Sequence, residues 1–209
     1  MNSVRIKICG ITNADDAMAC AGAGADYLGF IFHPGSPRAI SPEDAASIIL
    51  GLPARVTPVG VFVNEDPAVV ASTIAISGVR IIQLSGDELP EAALRVTVPV
   101  IKVFRAGAGT DSRPGPDDYR LYACMVDGVA PGVYGGSGMP ADLSLARSVG
   151  EGRRLFLAGG LHHGNVAALI ASVRPYAVDV NSGTERRPGV KDHRLVRLFC
   201  ENVQSAIPY

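Results

Sequence analysis

Short runs that are apolar at nearly every position recur along the chain. They lie at Val4–Ile8, Tyr27–Phe32, Thr57–Val63, Ile81–Leu84, Val100–Phe104, Leu121–Val126, Leu155–Leu157 and Ala177–Val180. Unbroken apolarity over such short lengths fits parallel strands covered on both faces. The stretches between them carry helix signals instead. Asn13 is placed to cap a helix with Ala17, Cys20 and Ala21 on one face, and Ala-Gly-Ala-Gly at 21–24 ends it. Ser41-Pro42-Glu43 and Asp66-Pro67 each combine a capping side chain with proline at the first helical position. They lead into Ala45–Leu50 and Val69–Ile76, and two later helices are predicted over Asn165–Ser172 and Asp192–Ser205.

Eight strands with intervening helices fit either a closed barrel or an open, doubly wound sheet. No GxGxxG fingerprint follows the first strand, where an open dinucleotide-binding sheet would place it. Polar residues suited to chemistry follow strands one, two, four, six, seven and eight, a spread that suits a ring better than one crevice. The expected architecture is therefore a single (β/α)8 barrel over residues 1–209, with no linker or domain boundary. Ala106–Asp118 holds three Gly and two Pro without helical period, so the helix after strand five should be degenerate. That helps to explain 209 residues where such barrels run to about 250.

Composition narrows the function. A formal net charge of −1 gives no electrostatic reason to expect nucleic acid or an anionic membrane as partner. Cys9, Cys20, Cys124 and Cys200 are widely spaced with no CxxC, so neither a zinc site nor a disulfide framework is predicted. No apolar stretch approaches a membrane span and no signal-peptide core opens the chain, which points to a cytoplasmic protein.

In a parallel barrel, residues at the carboxyl ends of the strands converge on one mouth. Cys9 ends the first apolar run and Asp127 the sixth, which makes a thiol and a carboxyl candidate base and acid. Ser36-Pro37-Arg38 puts a guanidinium just past strand two, and Gln83-Leu84-Ser85-Gly86 ends strand four. Gly135-Gly136-Ser137-Gly138 follows strand six, Gly159-Gly160 strand seven, and Asp179 through Glu185 strand eight. Glycines there allow backbone N–H groups to approach a phosphate, and Ser182 adds a hydroxyl. Lys7 reads as a packed, paired charge, and Asp179 either as a ligand for sugar hydroxyls or as a cap on the turn at Ser182.

In order and spacing, the KICG of the first strand, the SPR after strand two and the D-V-x-S-G-x-E of strand eight resemble the phosphoribosylanthranilate isomerases of tryptophan biosynthesis. The resemblance runs from Val4 to about Val196. It implies a (β/α)8 barrel, monomeric or homodimeric, that carries out an Amadori rearrangement of a phosphorylated aminosugar without metal or organic cofactor. It further implies Asp127 as the acid that opens the ring, Cys9 as the base at C2′, and Arg38 on the anthranilate carboxylate. Gly159, Gly160, Ser182 and Gly183 would take the phosphate, with Ser85, Gly136 and Asp179 as further substrate contacts. Three positions depart from the family pattern: Ser85 stands where His is usual, Met139 where Lys is common, and Ala141-Asp142-Leu143 replaces an aromatic-Asp-Trp. The rival readings are a non-catalytic phosphosugar-binding barrel and a dual-substrate isomerase of the histidine and tryptophan pathways. Ordinary pKa values would leave about 3% of a free thiol ionised and about 0.1% of a free Asp protonated at pH 7. Both groups would need help from their surroundings.

Overall fold

A computed structural model of the chain describes residues 3–105, 114–128 and 140–206. Eight strands, β1 (Arg5–Cys9), β2 (Tyr27–Ile31), β3 (Thr57–Phe62), β4 (Ile81–Leu84), β5 (Val100–Phe104), β6 (Ala123–Val126), β7 (Leu155–Leu157) and β8 (Ala177–Val180), pair in sequence order and close into a parallel barrel. Around it run α1 (Ala14–Ala23), α2 (Pro42–Leu50), α3 (Pro67–Ser77), α4 (Pro90–Leu94), α5 (Leu143–Gly150), α6 (Val166–Val173) and α7 (His193–Ser205). A small antiparallel hairpin, β9 (Glu185–Arg187) with β10 (Val190–Lys191), follows β8.

The helix starts follow the predicted chemistry. Asn13 accepts from the Asp16 N–H at 2.8 Å, Ser41 from Asp44 at 3.1 Å, and Asp66 from Ala68 at 2.7 Å. Gly24 ends α1 with φ 107°, a left-handed conformation that favours glycine. Asn165 differs: its side chain reaches back to the Gly160 carbonyl and the His162 N–H instead of capping α6. After β5 the described residues hold only a 3-10 turn, Pro116–Asp118, in keeping with the degenerate unit expected there. Two helices, α4 and α5, were not foreseen.

Alternate residues of each strand point into the barrel. Ile6 and Ile8 face outward and pack with Ala17 and Cys20 of α1 and Phe199 and Cys200 of α7. Facing inward, Tyr27, Val59, Ile81, Ile101, Met125, Phe156 and Ala177 form the interior core. At the floor, the hydroxyls of Tyr27, Tyr122 and Tyr176 lie 2.9 to 3.5 Å from one another. The Arg154 guanidinium stacks over Tyr122 and Tyr176. Cys20, Cys124 and Cys200 are free thiols buried in the packing.

Candidate active site

At the carboxyl end of the strands a cavity encloses about 730 Å³ of empty space, including its open mouth. Cys9 from β1, Arg38 from the loop after β2, Gln83 and Ser85 from β4, and Asp127 from β6 all line it. So do Gly159 and Gly160 after β7 and Asp179, Asn181 and Ser182 from β8 and its turn. The structure thus gathers most of the sequence-predicted residues on one surface. Gly183 is not on the cavity wall; it lies against the Leu161 carbonyl so closely that no Cβ would fit. Gly136 and Met139 lie outside the described residues.

Cys9 is buried at the last rung of β1, opposite Gly29 in the register. A Cβ on Gly29 would lie 2.7 Å from the Cys9 sulfur and 3.2 Å from Lys7 Nζ, so the missing side chain makes room for both. Two residues earlier on the same face, Lys7 is fully buried, and its ammonium donates to Asp179 Oδ1 at 2.9 Å. Asp179 is the β8 register partner of Lys7, so the pair is built into the sheet. Asp179 therefore holds Lys7 and does not cap the turn at Ser182. Burial pushes the Cys9 thiol upward, and the nearby Lys7 and Lys191 charges work against that shift. Burial alone would push Lys7 down, but the neighbouring Asp179 and Cys9 outweigh it and its value is raised.

Asp127 stands in different surroundings. Its Oδ1 accepts from the N–H of Gly128 at 2.8 Å. Burial, helped by the charge on Asp179 and opposed by Arg105, pushes the carboxyl up to about 6. About a tenth of it is then protonated at pH 7, roughly a hundredfold more than a free Asp.

Arg38 is held from behind. Its Nε donates to Glu185 Oε1 at 2.9 Å and its Nη2 to Oε2 at 2.7 Å. Glu185 also accepts from Lys191 Nζ at 3.2 Å, and Lys191 reaches Asn181 Oδ1 at the same distance. One edge of the guanidinium is locked to the hairpin while the side chain still borders the cavity. Arg38's value is raised chiefly by its hydrogen bonds to Glu185. In Glu185, burial works upward but the Arg38 hydrogen bond and the Lys191 charge prevail, and its value is lowered. Gly10 (φ 77°) has no room for a Cβ between Asn181 and Arg38. Glu185 and Lys191 stand inside motifs visible in the sequence, but their roles depend on a hairpin that the sequence did not reveal.

Gly159 and Gly160 both have left-handed backbones, φ 87° and 63°, and Gly159 approaches the Gly128 and Ala141 N–H groups too closely for any side chain. On β4, the Gln83 amide donates to Ser85 Oγ at 3.0 Å, and Arg105 Nη2 donates to the Ser85 carbonyl at 2.5 Å. Among the described residues, no group of three His, Cys, Asp or Glu side chains is arranged to hold a metal ion. No helix among them is long and apolar enough to cross a membrane.

The family model for N-(5′-phosphoribosyl)anthranilate (PRA) isomerase matches residues 6–202. The chain is 45% identical over 205 residues to the N-(5′-phosphoribosyl)anthranilate isomerase of Trichlorobacter lovleyi, covering 98% of this chain and all of the relative. The phosphoribosyl anthranilate isomerase of Thermus thermophilus superposes with a TM-score of 0.87 at 38% identity, over 97% of this chain and 99% of the other. A phosphoribosyl anthranilate isomerase crystallised with reduced 1-(o-carboxyphenylamino)-1-deoxyribulose 5-phosphate superposes with a TM-score of 0.80, also at 38% identity, over 96% and 98% of the two chains.

Proposed function

The chain belongs to the N-(5′-phosphoribosyl)anthranilate isomerase family, and on that premise we propose that Asp127 and Cys9 are the acid and base of its rearrangement. The protein is an isomerase of tryptophan biosynthesis that binds a phosphorylated small molecule. It turns N-(5′-phosphoribosyl)anthranilate into the corresponding 1-deoxyribulose 5-phosphate. In the proposed path Asp127 gives its proton to the furanose ring oxygen. The C1′–O bond breaks, and the anthranilate nitrogen lone pair closes a C=N bond. The Cys9 thiolate removes the proton on C2′, and the electrons of that C–H bond flow to the iminium nitrogen. The resulting enolamine tautomerises to the ketose.

The observation that carries this reading is the opening of Cys9 and Asp127, from strands separated by β7 and β8, onto one cavity. Arg38 offers the edge not taken by Glu185 to the anthranilate carboxylate. Gly159, Gly160 and Ser182 sit across the mouth, where left-handed glycines leave backbone N–H groups accessible to a phosphate. Ser85 and Asp179 are proposed as further contacts to the sugar. We further place the protein in the cytoplasm, as a one-domain monomer or homodimer that needs no metal or organic cofactor.

The test follows loss of the aminosugar's own fluorescence, against a protein that has no Trp to add background. Cys9→Ser and Asp127→Asn should each lose most of the turnover while still binding the aminosugar. Wild-type protein that binds it without consuming it would favour a non-catalytic phosphosugar-binding barrel instead.

A further inference from the structure

We infer that Lys7 is a positioning residue for the reaction, its buried ammonium lying between Asp179 and the Cys9 sulfur so as to hold the thiolate form inside the barrel. The inference rests on reading Cys9 as the base. Its first support is cost. Lys7 is fully buried in the barrel, at the register level of Tyr27. An ammonium placed there is expensive to desolvate, and a buried ion pair is often no more stable than two apolar residues of the same shape. Stability alone gives little reason for the pair.

The second support is geometry. Lys7 and Cys9 are two residues apart on one strand and therefore share the inward face. Sulfur and Nζ both press against the bare Cα of Gly29, where a single added methyl would meet each of them. An ammonium has three N–H donors, and Asp179 takes one at 2.9 Å. Cys9 is the second group at its side, both lying against Gly29, and the Lys7 charge favours the ionised form of the thiol.

The remaining charges around the thiol come from several elements. From β8 Asp179 opposes ionisation. From the β9–β10 hairpin, Lys191 favours it but is itself tied to Glu185, which also holds Arg38 of the β2 loop. His33 of that loop and Asp127 of β6 border the same cavity, and Arg105, past the end of β5, reaches the Ser85 carbonyl. Lys7 is thus the cation on the same strand and face as the sulfur, the two meeting at Gly29.

Lys7→Met alone strands the Asp179 charge and can fail to fold, so the test uses the near-isosteric neutral pair Lys7→Met/Asp179→Asn beside Asp179→Asn alone. The readout is the rate of Cys9 alkylation by iodoacetamide in the free protein at fixed pH, with Cys9→Ser as the blank. Removing the ammonium should cut the thiolate share about tenfold. Part of that loss is offset because a more basic thiolate is more nucleophilic, which leaves roughly a threefold slower reaction. Asp179→Asn alone, which leaves Lys7 with the sulfur, should react faster than wild type. An unchanged or faster rate in the double variant overturns the inference, as does a slower rate in Asp179→Asn. Because alkylation needs no substrate, the test separates the two ideas. A Cys9→Ser variant that keeps its turnover would sink the assignment of the base even if both alkylation rates moved as expected.

Discussion

The two sides of the barrel mouth are built on opposite plans. On the β1–β8 side, the Lys7–Asp179 ion pair and a separate network of Asn181, Lys191, Glu185 and Arg38 flank Cys9. On the β6–β7 side, Asp127 has the N–H of the next residue as its hydrogen-bond donor, with Ala158 and Gly159 beside it on the cavity wall. The contrast follows from what each group has to do. A thiol that must ionise in a buried place needs cations close by. A carboxyl that must keep its proton needs burial and few donors. One fold meets both needs because separate strands contribute the two environments.

If this contrast is the basis of catalysis, removing either pole should have the largest effect. Asp127→Asn should lower kcat by about 10²- to 10⁴-fold, the usual worth of a general acid, with binding of a product analogue little changed. A loss below tenfold would mean that the acid lies elsewhere. Next in size is Arg38→Lys, which keeps the charge but gives up the planar fork. KM should rise by roughly 10- to 100-fold with kcat nearly held, from the loss of about 1.5–3 kcal/mol of charge-assisted hydrogen bonding. An unchanged KM would remove Arg38 from the carboxylate site. Gly29→Ala tests the crowded side physically, because its methyl must displace the Cys9 sulfur or Lys7. Overpacking of this kind should cost about 1–3 kcal/mol in a urea unfolding curve. No change in midpoint would show that the strand tip has slack.

The subtlest test is the shape of the pH profile. With Asp127 raised to about 6 and Cys9 raised above its ordinary range, the productive pair of protonated acid and ionised base is a minority form. Between the two values its share is constant, since each pH unit that removes protonated Asp127 adds thiolate in equal proportion. Below about pH 6 the acid is already full and the thiolate keeps falling. The acidic limb of kcat/KM is therefore set by Asp127, with a midpoint of about 6. A profile still flat at pH 5 would put Asp127 near its ordinary value.

All eight strands were legible because burial on both faces leaves apolar runs that polar positions do not interrupt. Asn13, Ser41, Asp66 and Asp192 marked true helix starts for a local reason, since a cap is written within three residues of sequence. By contrast α4 spans only Pro90–Leu94, too short to show a period. In α5, Ser144, Arg147 and Ser148 dilute the apolar face, although Asp142 caps it plainly. Hairpin β9–β10 is polar and has no strand signature. Cys9 and Asp127 stood out because each ends an apolar run. The functional side of Lys7 did not, because inside such a run it reads as a packed charge until the register sets Asp179 beside it. Glu185 and Lys191 were hidden for the same reason, their partners lying across a fold and not along the chain.

Three tyrosine hydroxyls and a stacked guanidinium stopper the bottom of the barrel. Among the described residues that end is closed, and the cavity opens at the other. Product must back out along the path by which the next molecule enters, so the two compete for the same threshold, and the rate of exit can limit every cycle however fast the bonds rearrange within.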